Sequence, residues 1–434
     1  MATAEGSIGR REGPISRLGR RRSLQLEAML PLALTALVAA LVIYPMGMVV
    51  FGTFWSAAPG QPGTLTLENW AAVLSDSATF EVLLYTLAIA IPRTLLALVL
   101  ATAFAWCIAR TNAPCKTLLE GLLVFMFLLP ELPWVLAWML LGAPNVGLLN
   151  QWLGALVPGG EGLINVYSYG GLIVLGAARS APVLFLFILP ALLAMDATLE
   201  EAARMAGASA WRTLWRINFP LLLPALLASG ILSFVVAMES FEIPQLLGTP
   251  ASIFVFTTRI YDLAYGGHVA NFGAAMVLAL ILLTLTGSLI VVQWRLLCGR
   301  SYTTVSGRGF KAQPLDLGSG RWIAFGVIFA FFVVFGALPF IVLLLNSFME
   351  LSGFISWEML TTEHWRNALG RDEVLKSIMD TLMVGVAAAT LGVVISVLIS
   401  YVVTRTGWRG RKALDLMAWG PWAIPGLVMS LGFL

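Results

Sequence analysis

Charge is what this chain lacks most. Of its 434 residues only 11% are Asp, Glu, Lys or Arg, where a soluble domain carries about a quarter. With 59% hydrophobic residues and a mean hydropathy of +0.89, that deficit excludes an ordinary soluble fold. Cysteine is scarce too. Cys107, Cys115 and Cys298 make an odd count without metal-ligand spacing, which excludes a disulfide framework. The two histidines, His268 and His364, sit far apart in loops, so a zinc or haem site has no ligand set to draw on. None of the four lysines, Lys116, Lys311, Lys376 and Lys412, follows a glycine. A phosphate-binding Gly-Lys-Ser/Thr loop is therefore absent, and any ATP hydrolysis has to be done by another chain. The apolar runs hold no His-Glu motif, no paired aspartates and no Ser/Lys arrangement, which leaves an intramembrane enzyme as the weakest of the functional readings.

What the chain does have is long apolar runs. They predict spans near 29–55, 82–109, 118–142, 170–194, 220–240 and 272–298, then 321–347, 379–404 and 413–434. Runs of roughly 20 apolar residues are long enough to cross a bilayer as helices, and a barrel would show short alternating strands instead. The connectors support this list. Basic residues gather in the N-terminal tail, in Arg110–Lys116, in 195–219, in 299–321 and in Arg405–Lys412, while the intervening loops are neutral or acidic on balance. Positive charge on alternate loops is the positive-inside pattern, and it predicts nine spans with a cytoplasmic N-terminus. The tail carries Arg10, Arg11, Arg17, Arg20, Arg21 and Arg22. The apolar run after it is too long for a cleaved export signal, so residues 1–28 read as a cytoplasmic anchor.

The chain also repeats itself. Leu65-Thr66-Leu67-Glu68-Asn69-Trp70 recurs as Leu360-Thr361-Thr362-Glu363-His364-Trp365, a shift of 295 residues. At that shift Thr86 meets Thr381, Arg110-Thr111 meets Arg405-Thr406, Glu120 meets Asp415, and Pro130 meets Pro425. With one residue of slippage, Pro45-Met46 and Thr53-Phe54 meet Pro339-Phe340 and Ser347-Phe348. Matches between apolar runs come cheaply, but shared Glu, Trp, Arg-Thr and Pro do not. The expected layout is a first module over 29–298, a polar linker over 299–320 and a second copy over 321–434. The second copy reads as incomplete, truncated after three spans, and such a form is expected to be inactive unless further spans come from elsewhere.

One polar stretch interrupts the lipid-like pattern: EEAARMAGASAWRTLWRINFP, residues 200–220. Thr198 and Glu201 have the spacing of a capping box. Leu199, Ala202, Ala203 and Ala206 then share a helical face. Gly207 suits a left-handed turn that ends a helix, and Ser209 suits the cap of the next. In that second helix Arg212 and Arg216 share one face and Trp211, Leu214 and Trp215 another, with Pro220 expected to close it. The result is a helix–turn–helix elbow between two spans. Two readings stand: an amphipathic connector anchored in the interface by its tryptophans and arginines, or a docking surface for another protein.

Glu201-Ala202-Ala203, Gly207 four residues on, then Ile217 and Pro220 resemble the EAA loop in the permease subunits of binding-protein-dependent ABC importers. Phe219, where leucine is usual before the proline, is the one departure. The duplicated layout is similar to the fused permeases of the iron(III), thiamine, phosphonate and polyamine groups. The resemblance implies an all-α polytopic fold: a six-helix type I importer module, with its EAA loop at 196–220, followed by a partial second copy. It implies that the elbow docks on a separate ABC ATPase dimer, which consumes the ATP, and that an extracytoplasmic binding protein delivers the solute. Glu201 would then meet the ATPase and Gly207 would set the bend, with Thr198, Ser209, Arg212 and Arg216 supporting them. The location implied is the bacterial cytoplasmic (inner) membrane. No bound cofactor and no nucleic acid partner are expected.

Ionisable residues inside spans are functional candidates by default. Arg93, Glu131, Arg179 and Glu239 qualify. Glu239 and Glu242, three apart, are expected on one helical face at the outer end of the fifth span, meeting a cationic or metal-bearing solute, wetted at the membrane surface, or paired with Arg179. An ion-driven secondary transporter is the rival from another class. It predicts inverted repeats or broken midplane helices, whereas this repeat runs parallel.

Overall fold

The computed structural model describes residues 14–157, 159–160, 162–195, 202–203, 205–266, 270–297 and 314–434. Among them the regular structure is helical, joined by turns and loops, and the only β pairings are isolated bridges. The first module runs α1 (Pro14–Thr53), α2 (Glu68–Ser75), α3 (Ser77–Arg110), α4 (Lys116–Leu128), α5 (Glu131–Gly142), α6 (Leu148–Leu156) and α7 (Tyr169–Ala194). After the elbow come α8 (Phe219–Glu239), α9 (Phe256–Tyr261) and α10 (Phe272–Leu297). Then follow α11 (Arg321–Phe332), α12 (Leu338–Asn346), α13 (Glu363–Leu369), α14 (Asp372–Arg405), α15 (Arg411–Ala423) and α16 (Gly426–Gly432).

Among the described residues seven helices are long and apolar enough to cross a membrane, which makes this a multi-pass membrane protein. Two of the expected spans are not single helices. The run 118–142 is α4 and α5, bent by 96° at the Leu129-Pro130 break. The run 413–434 is α15 and α16, interrupted at Ile424-Pro425. The cause is local. Proline offers no N–H and pushes the residue before it out of the helical region. Leu129 accordingly sits at ψ 103 and Ile424 at ψ 119. Other prolines, such as Pro92, Pro182 and Pro224, stay inside their helices.

The 295-residue spacing extends to the elements themselves. Helices α3 and α14 are both 34 residues long, opening at Ser77 and Asp372 and closing at Arg110 and Arg405. Helices α4 and α15 are both 13 residues long. The Trp55–Leu65 bridge returns as Met349–Leu360. Thr66 N–H donates to Phe54 O at 2.8 Å, and Thr361 N–H donates to Phe348 O at 2.7 Å. The Phe54–Trp70 ring pair returns as Phe348–Trp365.

Contacts sort the chain into two compact units. The larger holds Val49–Arg371 with Gly426–Val428; the smaller holds residues up to Met48 with Asp372–Pro425 and Met429–Leu434. The larger unit is built on α3 against α7. Ala97, Ala101 and Ala105 of α3 and Ala177, Ala178 and Ala181 of α7 are buried essentially completely. Water supplies no drive to join helices in lipid, so small side chains that let backbones approach closely hold such pairs together. The span formed by α11 and α12 lies against α3, α4 and α5. Phe331 meets Phe104 at 4.9 Å, Phe335 meets Trp138 at 5.5 Å, and Trp134 Nε1 donates to Phe335 O. That carbonyl sits four residues before Pro339, which has no N–H to offer it. The last linker residues strap this span down: Leu315 pairs with Thr111, and Leu317 N–H donates to Asn112 Oδ1 at 3.0 Å.

In the smaller unit α1 lies against α15 and α16. A Cβ on Gly420 would come within 2.8 Å of Val42 Cγ1, and one on Gly432 within 2.3 Å of Pro45 O.

The alanine seam sets a clear expectation. Ala101→Leu adds bulk where Ala101 is 0% exposed, and overpacking of this kind costs about 1–3 kcal/mol. The variant should unfold at a lower temperature in detergent, and an unchanged midpoint would contradict the seam.

Candidate functional site

Two places carry the chemistry-bearing residues. The first is the elbow. Thr198 and Glu201 lie outside the described residues, so the geometry begins at Ala202. Ala206 N–H donates to Ala202 O at 3.0 Å, and Ala208 N–H reaches back to Ala203 O at 2.9 Å across Gly207. Gly207 stands at φ +80. This is a Schellman turn, in which a left-handed residue lets the chain satisfy the last helical carbonyls. Ser209 then starts the second helix: its Oγ accepts Arg212 N–H at 3.3 Å and its carbonyl accepts Thr213 N–H at 3.0 Å. Ala202, Met205, Ala206, Gly207, Arg212, Trp215, Arg216 and Pro220 are exposed, Met205 to 89%. Ile217 is half-buried.

Pro220 does not close the second helix. A helical turn at Ala210–Thr213 passes into a π-turn at Leu214–Asn218 and on into α8. A proline within its first two residues is compatible with the start of a helix. Here the wider π-turn lies just before Pro220 and brings the chain to it without a stop. The elbow and the span are thus one continuous rod from Ala210 to Glu239. Asn218, on the π-turn, is buried; the sequence reading passed over it because nothing in the letters marks a π-turn.

The second place is the α4–α5 break. Helix ends leave backbone groups without intrahelical partners, and the break creates two such ends. Arg179, from α7, serves the first. Its guanidinium donates to Met126 O at 2.9 Å, to Phe127 O at 3.5 Å and to Leu129 O at 2.9 Å. Glu131 serves the second, as the first residue of α5, and its Oε2 lies 3.5 Å from Arg179 Nε. A cation at the C-terminal end of one helix and an anion at the N-terminal end of the next both match the helix dipoles. Of the alternatives for Glu239 and Glu242, pairing with Arg179 is not the one seen: the carboxylate beside Arg179 is Glu131. The signal for this was present in Pro130, whose missing N–H predicts free carbonyls just upstream.

Arg93 lies behind the pair. It is 4% exposed, and its guanidinium donates to Ser180 Oγ at 3.3 Å. Gly176 leaves room for it, since a Cβ there would sit 2.6 Å from Arg93 Cδ. The Arg93 Nε has no acceptor among the described residues. Glu131 is within electrostatic reach of Arg179, Arg93 and Glu242.

Glu239 and Glu242 do not share a helical face. Helix α8 stops at Glu239 because Ser240 adopts ψ 130, which turns the chain before Glu242. Glu242 is exposed, and Glu239 is partly buried with Oε1 lacking a hydrogen-bond partner.

Residues 94–301 match the family described as binding-protein-dependent transport system inner membrane components. The chain is 28% identical over 275 residues to the ferric transport system permease protein FbpB of Actinobacillus pleuropneumoniae, which covers 62% of this chain and 39% of that one. It is 29% identical over 177 residues to the molybdenum transport system permease protein ModB of Escherichia coli (strain K12), covering 41% and 71%. It is 30% identical over 194 residues to the spermidine/putrescine transport system permease protein PotB of Salmonella typhimurium (strain SL1344), covering 44% and 66%. The match spans 39% and 42% of the two ferric permeases compared, well under half of either. Among solved structures, a bacterial ABC transporter involved in alginate import aligns with a TM-score of 0.53 and 18% identity over 64% of this chain and 98% of that one, a likeness of fold.

The break gives a ranking of variants. Arg179→Met removes the donor from Met126 O and Leu129 O, and each buried group left unpaired costs roughly 1–3 kcal/mol. Glu131→Gln leaves those bonds in place. Thermal unfolding in detergent should therefore show the larger loss for Arg179→Met, and equal losses would contradict Arg179 as the support of the break.

Proposed function

We propose that the chain, whose residues 94–301 match the binding-protein-dependent transport system inner membrane components, forms the solute pathway of an ATP-driven importer. A separate ATPase subunit, working as a dimer, grips the elbow at 201–220 and consumes the ATP. An extracytoplasmic binding protein delivers the solute. Relatives named for ferric iron, molybdenum and polyamine transport suggest iron(III) or another small solute. The charge of the connectors supports a bacterial inner membrane protein with its N-terminus and elbow in the cytoplasm.

The observation that carries this reading is the continuity of elbow and span. An exposed surface turn at Gly207 is joined to α8 by helical backbone without a stop. A push on the turn is thereby delivered along the rod as movement of the span. Exposed Ala202, Ala206 and Gly207 offer little side chain, so another backbone can come close. Arg212 and Arg216 add positive charge beside them. Arg179, Glu239 and Glu242 are assigned to the border of the pathway.

The turn supplies the main test. A Cβ on Gly207 would meet nothing within 4 Å, so a substitution there acts through the backbone and not through crowding. At φ +80 an L-residue pays roughly 1–2 kcal/mol, a β-branched one most, and asparagine least. Gly207→Val should keep ATP hydrolysis but lose solute uptake in vesicles containing the ATPase and binding protein. Gly207→Asn should keep most of both. Undiminished uptake by Gly207→Val would sink the coupling role.

The pathway assignment is tested by Glu239→Gln and Glu242→Gln. Each is expected to lower the rate or affinity of uptake. Wild-type rate and affinity in both variants would remove these carboxylates from the pathway.

A further inference from the structure

Two guanidiniums converge on one patch of α7. Gly176, Arg179 and Ser180 stand at i, i+3 and i+4 and therefore share a face. Arg179 leaves that face toward the α4–α5 break and is fully engaged there by carbonyls of α4 and by Glu131. Arg93 arrives on the same face from α3, seated over Gly176 and donating to Ser180 Oγ at 3.3 Å. It is buried, and its Nε has no acceptor among the described residues. A buried charge of this kind is costly unless paired, and inside a membrane it marks function.

The groups around it decide what it does. Glu131 is the carboxylate beside Arg179, at 3.5 Å, and the Arg93 guanidinium sits on Ser180, the residue next to Arg179; Glu242 is exposed. Glu131 is also the first residue of α5, directly after the Leu129-Pro130 break, where the chain is not held by helical hydrogen bonds. Arg179 does not need Glu131 to stay in place, because its bonds to Met126 O and Leu129 O hold it on α4. The carboxylate can therefore leave Arg179 without orphaning a backbone group.

We propose that Arg93 is the second station of Glu131: the carboxylate pairs with Arg179 in the conformation seen here and transfers to Arg93 when the α4–α5 break changes its angle during transport. Arg93 is then a positioning residue that stabilises the opposite conformation of the broken helix. The inference rests on the permease reading above.

The test uses the full chain with its ATPase and binding protein in vesicles, radioactive ferric iron as the probe, and thermal unfolding as a second readout. Arg93→Met should keep or raise the unfolding temperature, because it removes an underpaired buried charge, while uptake falls about tenfold or more. Arg93→Lys, which keeps the charge, should restore most of the uptake. Glu131→Gln should lose uptake as Arg93→Met does, and the double variant should be no worse than either single one, as expected for two members of one pair. Wild-type uptake by Arg93→Met, or a double-variant loss equal to the product of the single losses, overturns the exchange alone. Absence of ATP-dependent uptake by the unaltered chain, supplied with the further spans that its second copy is expected to need, overturns the permease reading and the exchange with it. Should Arg93→Met fail to accumulate, Glu131→Gln decides: lost uptake at retained stability supports the exchange, and wild-type uptake overturns it.

Discussion

In hydrocarbon every backbone N–H and C=O has to find its partner inside the protein, and the prolines of this chain determine where that requirement is hardest to meet. Pro130 frees carbonyls at the end of α4, and a guanidinium from α7 answers them. Pro339 leaves Phe335 O without an N–H four residues on, and the indole of Trp134 answers it. Pro220 stands just past a π-turn, and the helix runs on. The same residue type thus gives a sharp break, a side-chain bridge between helices, or an uninterrupted rod. The outcome depends on which neighbours can donate to the freed groups. The polar residues that are rare in this chain are placed where backbone demand is greatest.

Much of this was legible in the letters and some was not. Apolar runs revealed the helices, and the repeat at 295 residues foresaw matching elements such as α3 and α14, which open and close in register. The turn at Gly207 followed from the need for a residue that tolerates positive φ, as did the cap at Ser209. The breaks at Pro130 and Pro425 were missed as breaks because a hydropathy window averages over a single bend. Glu239 and Glu242 looked like one helical face because spacing presumes a continuous helix, and Ser240 ends it. The pairing of Arg179 with Glu131 joins residues 48 positions apart, and a single sequence offers no distance between them. The coupling role of Glu201 stays with the resemblance of its motif.

The repeat also shows what is not duplicated. Position by position, Glu131 corresponds to Gly426 and Arg93 to Ala388. Both copies keep the proline break, and both keep the capping contacts around Trp70 and Trp365. At these two aligned positions the second copy has no charge. The shared features are a bend at a proline and a ring pair beside a short helix. The unshared ones are charges, which lipid penalises. A pair of copies that differ in their charges while agreeing in their backbone has been specialised without losing its fold.

That asymmetry bears on how an elbow can act at a distance. On the proposed permease reading, a continuous helix such as Ala210–Glu239 would transmit displacement but would not select between conformations. Selection needs an element with two discrete arrangements, and a helix already broken at a proline is such an element, because its two halves can reorient while each keeps its own hydrogen bonds. Arg179 ties one half to α7 through carbonyls, and Glu131 ties the other through a charge. The first tie is directional and satisfies backbone groups that have no substitute donor; the second is a carboxylate with a further cation within reach. The carbonyl bonds hold α4, and the packing of Trp134 and Trp138 against Phe335 holds α5, so the carboxylate is the tie that can change partner.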